Sequence, residues 1–309
     1  MKKIKNIFIA GHNGLLGSSI LEEFIKDKNY NVLIKTRKEL DLLNFNKVNN
    51  FFKKNKINLV INAAGLVGGI KKNLENQINF LEVNFYLQSN LIKASFQNKV
   101  SEYINIASSC IYPSKSIQPL KEEYLMRGLL EKTNEGYALA KICGIKLCEF
   151  YSEKYNFLTK TVIPCNIYGI NDKYFNESSH FLSGIISKIY LAKINNKKNV
   201  KLWGTGKPKR ELILNTDAAK AIKFCIDKNL KEKKINIGSG FDYSIKQYAD
   251  KIKKKLNYNG VILWDTNYPD GIKKKLLDVR ILKKYKYSNQ YNFDEGLELV
   301  IKKFLDKYQ

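Results

Sequence analysis

The glycine loop Gly11-His-Asn-Gly14-Leu-Leu-Gly17 directly follows an apolar strand, Ile4-Lys-Asn-Ile-Phe-Ile-Ala10, and precedes an amphipathic helix that extends to about Lys28. A strand, a glycine loop and a helix in this order are the context of a dinucleotide fingerprint. Its glycines permit a tight turn, close approach of the backbone to a pyrophosphate and helix–strand packing. An ordinary glycine turn is the alternative, which this context disfavours. We expect a dinucleotide to contact Gly11, Asn13, Gly14, Leu16 and Gly17.

The end of the second predicted strand, Tyr30 to Lys35, indicates which dinucleotide binds. About twenty residues after the last glycine, an acidic side chain would bind the ribose diol of NAD, whereas arginine favours the 2′-phosphate of NADP. The chain has Thr36-Arg37-Lys38 at this place, without an acid, and Arg37 is one of only four arginines. We therefore predict NADP as the cofactor, with Arg37 at its 2′-phosphate, and expect Asp41 to be a further cofactor-binding residue. A solvated basic turn is the alternative interpretation.

Strands and helices alternate through the first half of the chain, with further strands over Asn58 to Asn62, Glu102 to Ala107 and Thr161 to Pro164. This alternation predicts an α/β fold with a doubly wound parallel (Rossmann) sheet and right-handed crossovers. Ligands of such sheets lie beyond the carboxyl ends of the strands. The small-residue loop that follows the third strand is therefore expected to approach the cofactor through Ala63, Ala64 and Gly65.

From about residue 166 the alternation weakens and the elements become shorter. We predict an NADP-binding domain over residues 1–165, to which segments near 212–238 return. Residues 166–309 are expected to form mainly a smaller C-terminal substrate-binding domain.

A proton-transfer pair is predicted at Tyr137 and Lys141. Residues four apart share one face of a helix, so both side chains can point into one site, where the ammonium group favours the phenolate. Ser108-Ser109-Cys110 follows a buried strand at the edge of the sheet where ligands bind. We expect Ser108 to supply a hydroxyl there; capping of a turn is the alternative role for these serines.

The net charge of +25 raises the question of nucleic acid. The lysines are spread over the whole chain, whereas arginine, the favoured residue for recognition of phosphates and bases, is scarce. We therefore expect no nucleic-acid partner. The five cysteines form no CxxC pair and the two histidines lie far apart, so neither a disulfide framework nor a metal site is predicted. No apolar run is long enough for a signal peptide or a membrane span, so a cytoplasmic protein without a membrane partner is expected.

The combination of glycine loop, strand-end serine and Tyr-x-x-x-Lys helix resembles the extended short-chain dehydrogenase/reductase superfamily. Within it, the chain is similar to the GDP-L-fucose synthase family, which acts on GDP-4-keto-6-deoxymannose as an epimerase and reductase. The similarity covers nearly the whole chain, from the first glycine loop to about residue 280. The strings that carry it are Ser-Ser-Cys-Ile-Tyr-Pro (108–113), Thr-Asn-Glu-Gly-Tyr-Ala-Leu-Ala-Lys (133–141), Asn-Ile-Tyr-Gly (166–169), Trp-Gly-Thr-Gly-Lys-Pro-Lys-Arg-Glu (203–211) and Pro-Asp-Gly-Ile-Lys-Lys-Lys-Leu-Leu-Asp (269–278).

The resemblance implies that Tyr137 gives a proton to the C4 oxygen of a GDP-4-keto-6-deoxy sugar while NADPH delivers hydride to C4. Lys141 would bind the nicotinamide ribose, and Ser108 would hold the sugar carbonyl. The family also inverts C3 and C5, with a cysteine and a histidine at the positions of Cys110 and His180. Such a couple can be brought near neutral pKa. The alternatives are a small core residue for Cys110 and a surface histidine for His180.

The resemblance further implies contacts with the GDP-sugar and a homodimer that forms through two helices of the main domain. Arg210 would bind the diphosphate, for which a bidentate arginine is suited, and a structural salt bridge is its alternative role. The substrate-binding residues expected from the resemblance are Asn166, Lys188, Trp203, Arg210 and Asp270.

The chain departs from the family at Asn13, where arginine is frequent, at Leu66, where lysine is common, and at Gly136, where proline is usual. The loop over residues 171–179 differs as well. The alternative function is therefore C4 reduction without epimerisation, acting on a related GDP-4-keto-6-deoxy sugar such as a heptose. From a different class, a basic nucleic-acid-binding or scaffold protein on this fold stays open as an alternative, and the intact Ser–Tyr–Lys set speaks against it.

Overall fold

The computed structural model describes residues 4–175, 179–268 and 270–309. Within these ranges the β-strands, numbered in chain order, are β1 Lys5–Ala10, β2 Tyr30–Leu33, β3 Leu59–Asn62, β4 Glu102–Ile106, β5 Thr159–Pro164, β6 Asn166–Tyr168, β7 Asn199–Trp203, β8 Lys209–Leu214, β9 Lys234–Ile237, β10 Asp242–Ser244, β11 Val261–Asp265 and β12 Lys274–Lys275. The α-helices are α1 Leu15–Ile25, α2 Phe45–Asn55, α3 Ile70–Glu75, α4 Gln77–Gln97, α5 Glu135–Tyr155, α6 Phe181–Ile194, α7 Asn215–Asp227, α8 Ile245–Lys255, α9 Arg280–Lys284 and α10 Phe293–Tyr308.

Six parallel strands form the main sheet in the order β2-β1-β3-β4-β5-β9. The chain leaves β1 for β2 on one side and returns to β3 on the other, so the order reverses between β1 and β3. This is the topological switch point at which doubly wound sheets bind ligands. The predicted α/β class with a parallel, doubly wound sheet is confirmed.

Alternating side chains of the main sheet enter two separate hydrophobic clusters, one on each face. On β1, Ile7 and Ile9 belong to the cluster beneath α1 and α7, whereas Phe8 belongs to the cluster beneath α2 and α4. A sheet covered on both faces requires strands that are apolar throughout. The fully buried β3 and β5 meet this requirement.

A third hydrophobic cluster lies apart from the main sheet, among α6, α8, α10 and the strands β7 and β8. We call these elements, together with β6, β10, β11 and β12, the small lobe. Its strands pair as β6 with β8, β10-β8-β12, and β11 with β7. The chain returns to the main sheet twice. The first return is made by α7 and β9, and the second by α9, and all three pack on the main-sheet side. The predicted domain limits of 1–165 and 166–309 stay a prediction.

Among the helices of the described ranges, none combines the length and the hydrophobicity of a membrane-spanning segment.

A buried ion pair ties β5 to the start of β4. The Lys160 ammonium lies 3.0 Å from Glu102 Oε1, and 3% of the lysine side chain is exposed. Lys160→Met would leave a largely buried carboxylate without its cation, so we expect a loss of about 3 kcal/mol in the free energy of unfolding. Urea unfolding measures this change. The control is Lys26→Met in the exposed pair with Glu23, where little change is expected; equal stability of the two variants would contradict the prediction.

Candidate active site

The glycine loop after β1 forms a close-packed backbone turn at the switch point. Gly11 has a φ of +82°, and a Cβ on it would lie 2.5 Å from the backbone nitrogen of Ala64. A Cβ on Gly17 would collide with the carbonyl oxygen of Gly11. α1 begins directly after Gly14, with neither a side-chain cap nor an acidic residue in its first turn. Its N-terminal amides and helix dipole therefore suit an anion, and the loop fits the pyrophosphate of a dinucleotide.

The side chains predicted to surround the adenosine end differ in how they are held. Arg37 is exposed and makes no hydrogen bond or ion pair within the described ranges, so its guanidinium is free for a phosphate. Asp41 accepts a hydrogen bond from the Leu43 N–H at 3.1 Å. Asn13 is exposed, and Leu16 is half-buried against the main hydrophobic cluster.

An acidic residue, Glu39, stands two positions beyond Arg37 but is engaged by other groups. Its carboxylate accepts hydrogen bonds from the N–H and the hydroxyl of Thr36, both at 2.8 Å, and pairs with Lys35 at 3.0 Å. The Thr36 N–H bond, with smaller contributions from the other partners, lowers the pKa of Glu39 to about 2. These bonds occupy both carboxylate oxygens.

The small-residue loop after β3 lies against the glycine loop, as the contact between Gly11 and Ala64 shows. Asn84 of α4 fixes the continuation of this loop: its Oδ1 accepts from the Leu66 N–H at 2.8 Å, and its Nδ2 donates to the Leu66 carbonyl at 3.0 Å. A Cβ on Gly65 would lie 3.1 Å from Asn84 Oδ1 and 3.7 Å from Lys141 Nζ. Asn84 could not be identified from the sequence, because its partner is a backbone segment 18 residues earlier.

Tyr137 and Lys141 face the carboxyl end of β4 from the first turns of α5. The Lys141 ammonium donates to the Ile106 carbonyl at 2.9 Å and lies 5.8 Å from the centre of the Tyr137 ring. Burial lowers the pKa of Lys141 to about 8. Burial also raises the pKa of Tyr137, with a smaller contribution from Cys110. A protonated phenol and a cationic lysine are therefore the forms expected at neutral pH.

Ser108 and Cys110 lie in the turn that leaves β4. Ser108 is the cap of the short helical turn Ser109–Ile111, and its Oγ lies 3.5 Å from the Cys110 N–H. Burial raises the pKa of the Cys110 thiol, while Lys275, the Ser108 hydroxyl and Lys141 act in the opposite direction. This differs from the expectation of a thiol near neutral pKa, because the desolvation of a side chain only 5% exposed outweighs the nearby cations.

Two further charged residues next to Cys110 were not identified from the sequence. Lys275 of β12 and Glu131, which precedes α5, form a largely buried ion pair at 3.6 Å. Both act on the thiol, Lys275 lowering its pKa and Glu131 raising it. Lys275 stands beside Arg210 in the register of β12 and β8. The string around residue 275 was noted, but its pairing with β8 links residues about 65 apart and leaves no local signal.

His180 lies directly before α6, at the edge of the small lobe. Its Nδ1 is 2.9 Å from Oδ1 of the buried Asp172, and this hydrogen bond raises the pKa of the imidazole. Asp172 is another residue that the sequence analysis missed. Residues 176–178 of the intervening loop lie outside the described residues. Within the described residues His180 is bonded to Asp172, and no hydrogen bond or ion pair joins it to Cys110.

The residues predicted for substrate binding belong to the small lobe, and several are in mutual contact. The Lys188 ammonium lies 4.8 Å above the Trp203 ring, and that ring stacks on Tyr268 with centres 4.2 Å apart. Asp270 binds the turn after β7, accepting from the Thr205 N–H at 2.9 Å and from its hydroxyl at 2.5 Å. The aromatic partner Tyr268 was not predicted.

The other two predicted substrate residues lie on paired strands. The Arg210 guanidinium donates to the Lys209 and Ile272 carbonyls, at 2.9 and 2.5 Å, and Glu131 and Asp270 are the acids that influence it most. Arg210 therefore makes no direct salt bridge in the described chain, contrary to the alternative considered for it. Asn166 begins β6, which runs parallel to β8.

Comparison with known proteins gives consistent results. The family model described as "NAD dependent epimerase/dehydratase family" matches residues 7–238. The chain is 38% identical to the GDP-L-colitose synthase of Yersinia pseudotuberculosis, over 97% of this chain and 98% of that one. It is 36% identical to the GDP-L-fucose synthase of Escherichia coli (strain K12), over 98% and 97%. The solved structure of MlghC, a GDP-mannoheptose C4 reductase from Campylobacter jejuni with NADP bound, matches with a TM-score of 0.89 at 30% identity, covering 99% of each chain.

Proposed function

We infer the function of this chain from the family to which it belongs, the GDP-L-fucose synthase group of the NAD dependent epimerase/dehydratase family. We propose that the chain reduces C4 of a GDP-linked 4-keto-6-deoxy sugar and inverts C3 and C5 of that sugar. The protein is an NADP-dependent oxidoreductase. The observation that carries the proposal is the placement of Tyr137, Lys141, Ser108 and Cys110 around the end of β4, beside the cradle that fits a dinucleotide.

NADPH, when bound between the glycine loop, Arg37 and Lys141, supplies the hydride for C4. Reduction of the ketone also needs a proton at the C4 oxygen, and Tyr137 is suited to give it because its raised pKa keeps the phenol protonated. Lys141 stabilises the charge that develops on Tyr137 and the sugar oxygen. Ser108, in the turn that leaves β4, is proposed to donate a hydrogen bond to the same carbonyl.

Epimerisation requires removal and return of the protons on C3 and C5, which the neighbouring ketone acidifies. We assign this exchange to Cys110 and His180. Lys275 and Lys141 favour the Cys110 thiolate, and Asp172 holds one nitrogen of His180 so that the other can face the sugar. Since no hydrogen bond joins the two side chains within the described residues, we propose that each serves its own step of the exchange.

The GDP portion is assigned to the small lobe. Lys188 and Arg210 supply positive charge for the diphosphate, and Trp203 supplies an apolar face. Asp270 is proposed to act by holding the turn after β7, and Asn166 by contact with the sugar. Homodimerisation through α4 and α5 is also proposed, because exposed apolar side chains lie on both helices, among them Ile78 and Phe150. The cytoplasmic location remains a prediction.

The experiment that tests this function is NADPH oxidation with GDP-4-keto-6-deoxymannose in deuterated water, followed by NMR of the product. Turnover with deuterium at both C3 and C5 is the expected result. Turnover without deuterium at C3 and C5 would support the proposed C4 reduction and would exclude the proposed epimerisation. Absence of turnover would exclude GDP-4-keto-6-deoxymannose as the substrate.

A second candidate is C4 reduction of a GDP-4-keto-6-deoxy heptose without epimerisation. The match with MlghC over 99% of the chain favours it, since that protein is described as a C4 reductase of a GDP-linked heptose. Turnover of the heptose without incorporation of deuterium would support this candidate.

The cofactor preference depends on Arg37 in this proposal. Because Asn13 brings no charge to the glycine loop, Arg37→Ala removes the main partner of the 2′-phosphate, and we expect KM for NADPH to rise about tenfold or more. KM for NADH, which has no such phosphate, should change little, and Lys38→Ala next to it is the matched control. Equal effects of Arg37→Ala on both cofactors would contradict the assignment.

The pH profile should report the charge of Lys141. Its pKa of about 8 lies below the ordinary value for lysine, so kcat/KM is expected to decline above about pH 8, as the ammonium loses its proton. Steady-state rates between pH 6 and 10 measure this decline. In Lys141→Arg the side chain keeps its charge, and the residual activity should lack the decline. An unchanged decline in that variant would assign it to another group.

A further inference from the structure

The first turn of α4 touches the start of α5, just before Tyr137. Gln77 Nε2 donates to the Lys132 carbonyl at 2.6 Å, and the Gly136 N–H donates to Gln77 Oε1 at 2.7 Å. One side-chain amide thus binds both the segment that enters α5 and the residue that precedes Tyr137. These contacts join residues 55 and 59 positions apart.

Gln77 supplies the cap that α5 lacks from its own residues. Asn134, at the N-cap position of α5, makes no side-chain capping hydrogen bond. The first amides of a helix have no intrahelical partner and need one from elsewhere. Gln77 provides this partner from another helix for Gly136, one position before Tyr137.

The glycine at position 136 fits this contact. A Cβ there would lie 3.0 Å from Gln77 Oε1 and would collide with the Gln77 carbonyl oxygen. Proline, in turn, has no N–H to donate. At position 136, where the chain departs from the family's usual proline, Gly136 therefore has an N–H that donates to Gln77 and no side chain that would obstruct the approach of α4.

The same face of α4 also contacts the Tyr137 ring. Phe80, one turn beyond Gln77, is 1% exposed and meets the ring edge to face, with centres 6.4 Å apart and planes at 84°. Gln77 therefore fixes the backbone ahead of Tyr137, while Phe80 supports its ring. Because the Tyr137 hydroxyl makes no hydrogen bond to the described protein, its position depends on these supports.

We propose that Gln77 is a positioning residue for Tyr137, acting through the Gly136 N–H and the Lys132 carbonyl. This inference rests on the proton-donating role given to Tyr137 above. Displacement of a reacting group by a fraction of an ångström lowers the rate of the chemical step more than substrate binding. The expected signature is therefore a lower kcat with an unchanged KM.

The test compares Gln77→Ala, Gln77→Glu and Asn79→Ala in the full chain. Asn79 is the matched control, an exposed amide on the same helix turn without hydrogen bonds in the described residues. Gln77→Ala should lower kcat about tenfold. The KM values for NADPH and for the keto sugar should stay within about twofold of those of the parent protein. Gln77→Glu keeps the acceptor for the Gly136 N–H but loses the donor to the Lys132 carbonyl, so it should recover only part of the rate. Hydrogen exchange of the Gly136 amide, which needs no substrate, should accelerate in Gln77→Ala only.

The result that overturns the proposal is a parental kcat or unchanged Gly136 exchange in Gln77→Ala, or a loss in Gln77→Glu as large as that in Gln77→Ala. A joint change of kcat, KM and melting temperature would indicate a structural role only, and would overturn it too. Tyr137→Phe is measured in parallel. If that variant keeps the parental rate, the proposed function of Tyr137 fails, whereas the exchange of Gly136 still reports on the Gln77 contact.

Discussion

Tyr137→Phe is expected to lower kcat for NADPH-dependent reduction about a thousandfold, because it removes the hydroxyl group that donates the proton. The ring should stay in place, because Phe80 contacts the ring and the hydroxyl makes no protein hydrogen bond within the described ranges. The melting temperature and KM should therefore stay near the parental values. Steady-state kinetics with thermal unfolding on the same preparations measures both.

The control for this prediction is Tyr86→Phe, which removes an exposed hydroxyl from α4 and should leave kcat unchanged. If Tyr137→Phe turned over at the parental rate, the proton would have to come from elsewhere, and the site assignment around β4 would be wrong. A fall in rate accompanied by unfolding would instead show that the hydroxyl stabilises the structure, contrary to its lack of partners.

Cys110→Ser is expected to reduce the exchange of solvent deuterium into C3 and C5 of the keto sugar at least about a hundredfold. The serine hydroxyl is similar to the thiol in shape but is a far weaker acid. It therefore does not form the anion that would remove a proton from the sugar. The exchange is followed by NMR with oxidised cofactor, so that reduction does not consume the sugar. Reduction itself should persist, because Tyr137 and Lys141 are untouched.

Cys143→Ser, on the same stretch of α5 as Lys141, is the matched control and should exchange at the parental rate. Parental exchange in Cys110→Ser would exclude this cysteine from the epimerisation. If the parent protein itself shows no exchange, the second candidate, a C4 reductase without epimerisation, accounts for the chain.

The features that could be predicted from the sequence are those that depend on neighbouring residues in the chain. The glycine loop, the strand ends and the Tyr-x-x-x-Lys helix each depend on residues adjacent in the chain, and the confirmed parallel sheet follows from their order. Helix α10 was not predicted, although Asn292 and Glu295 form a capping box that can be recognised in the sequence. α2 was not predicted either, in spite of its Asn44 cap.

The residues that the sequence analysis missed in the site come from contacts between distant segments. Lys275 acts electrostatically on Cys110 from β12, which pairs with β8, and Gln77 binds Gly136 because the first turn of α4 touches the start of α5. Neither contact has a periodic or spaced signal. The pKa of Cys110 could not be predicted for the same reason: it depends on the balance between burial and cations brought there by the fold.

The separate hydrophobic cluster of the small lobe makes the molecule modular. The residues proposed for proton transfer come from β4 and α5, whereas those proposed for the nucleotide come from the small lobe, which has its own hydrophobic cluster although β6 and β8 also contribute Ile167 and Ile213 to the main cluster. We therefore expect that changes confined to the small lobe alter which sugar nucleotide is accepted and leave the reducing chemistry in place. A chimaera that exchanges the small lobe between two such relatives would transfer substrate preference without rebuilding the cofactor site.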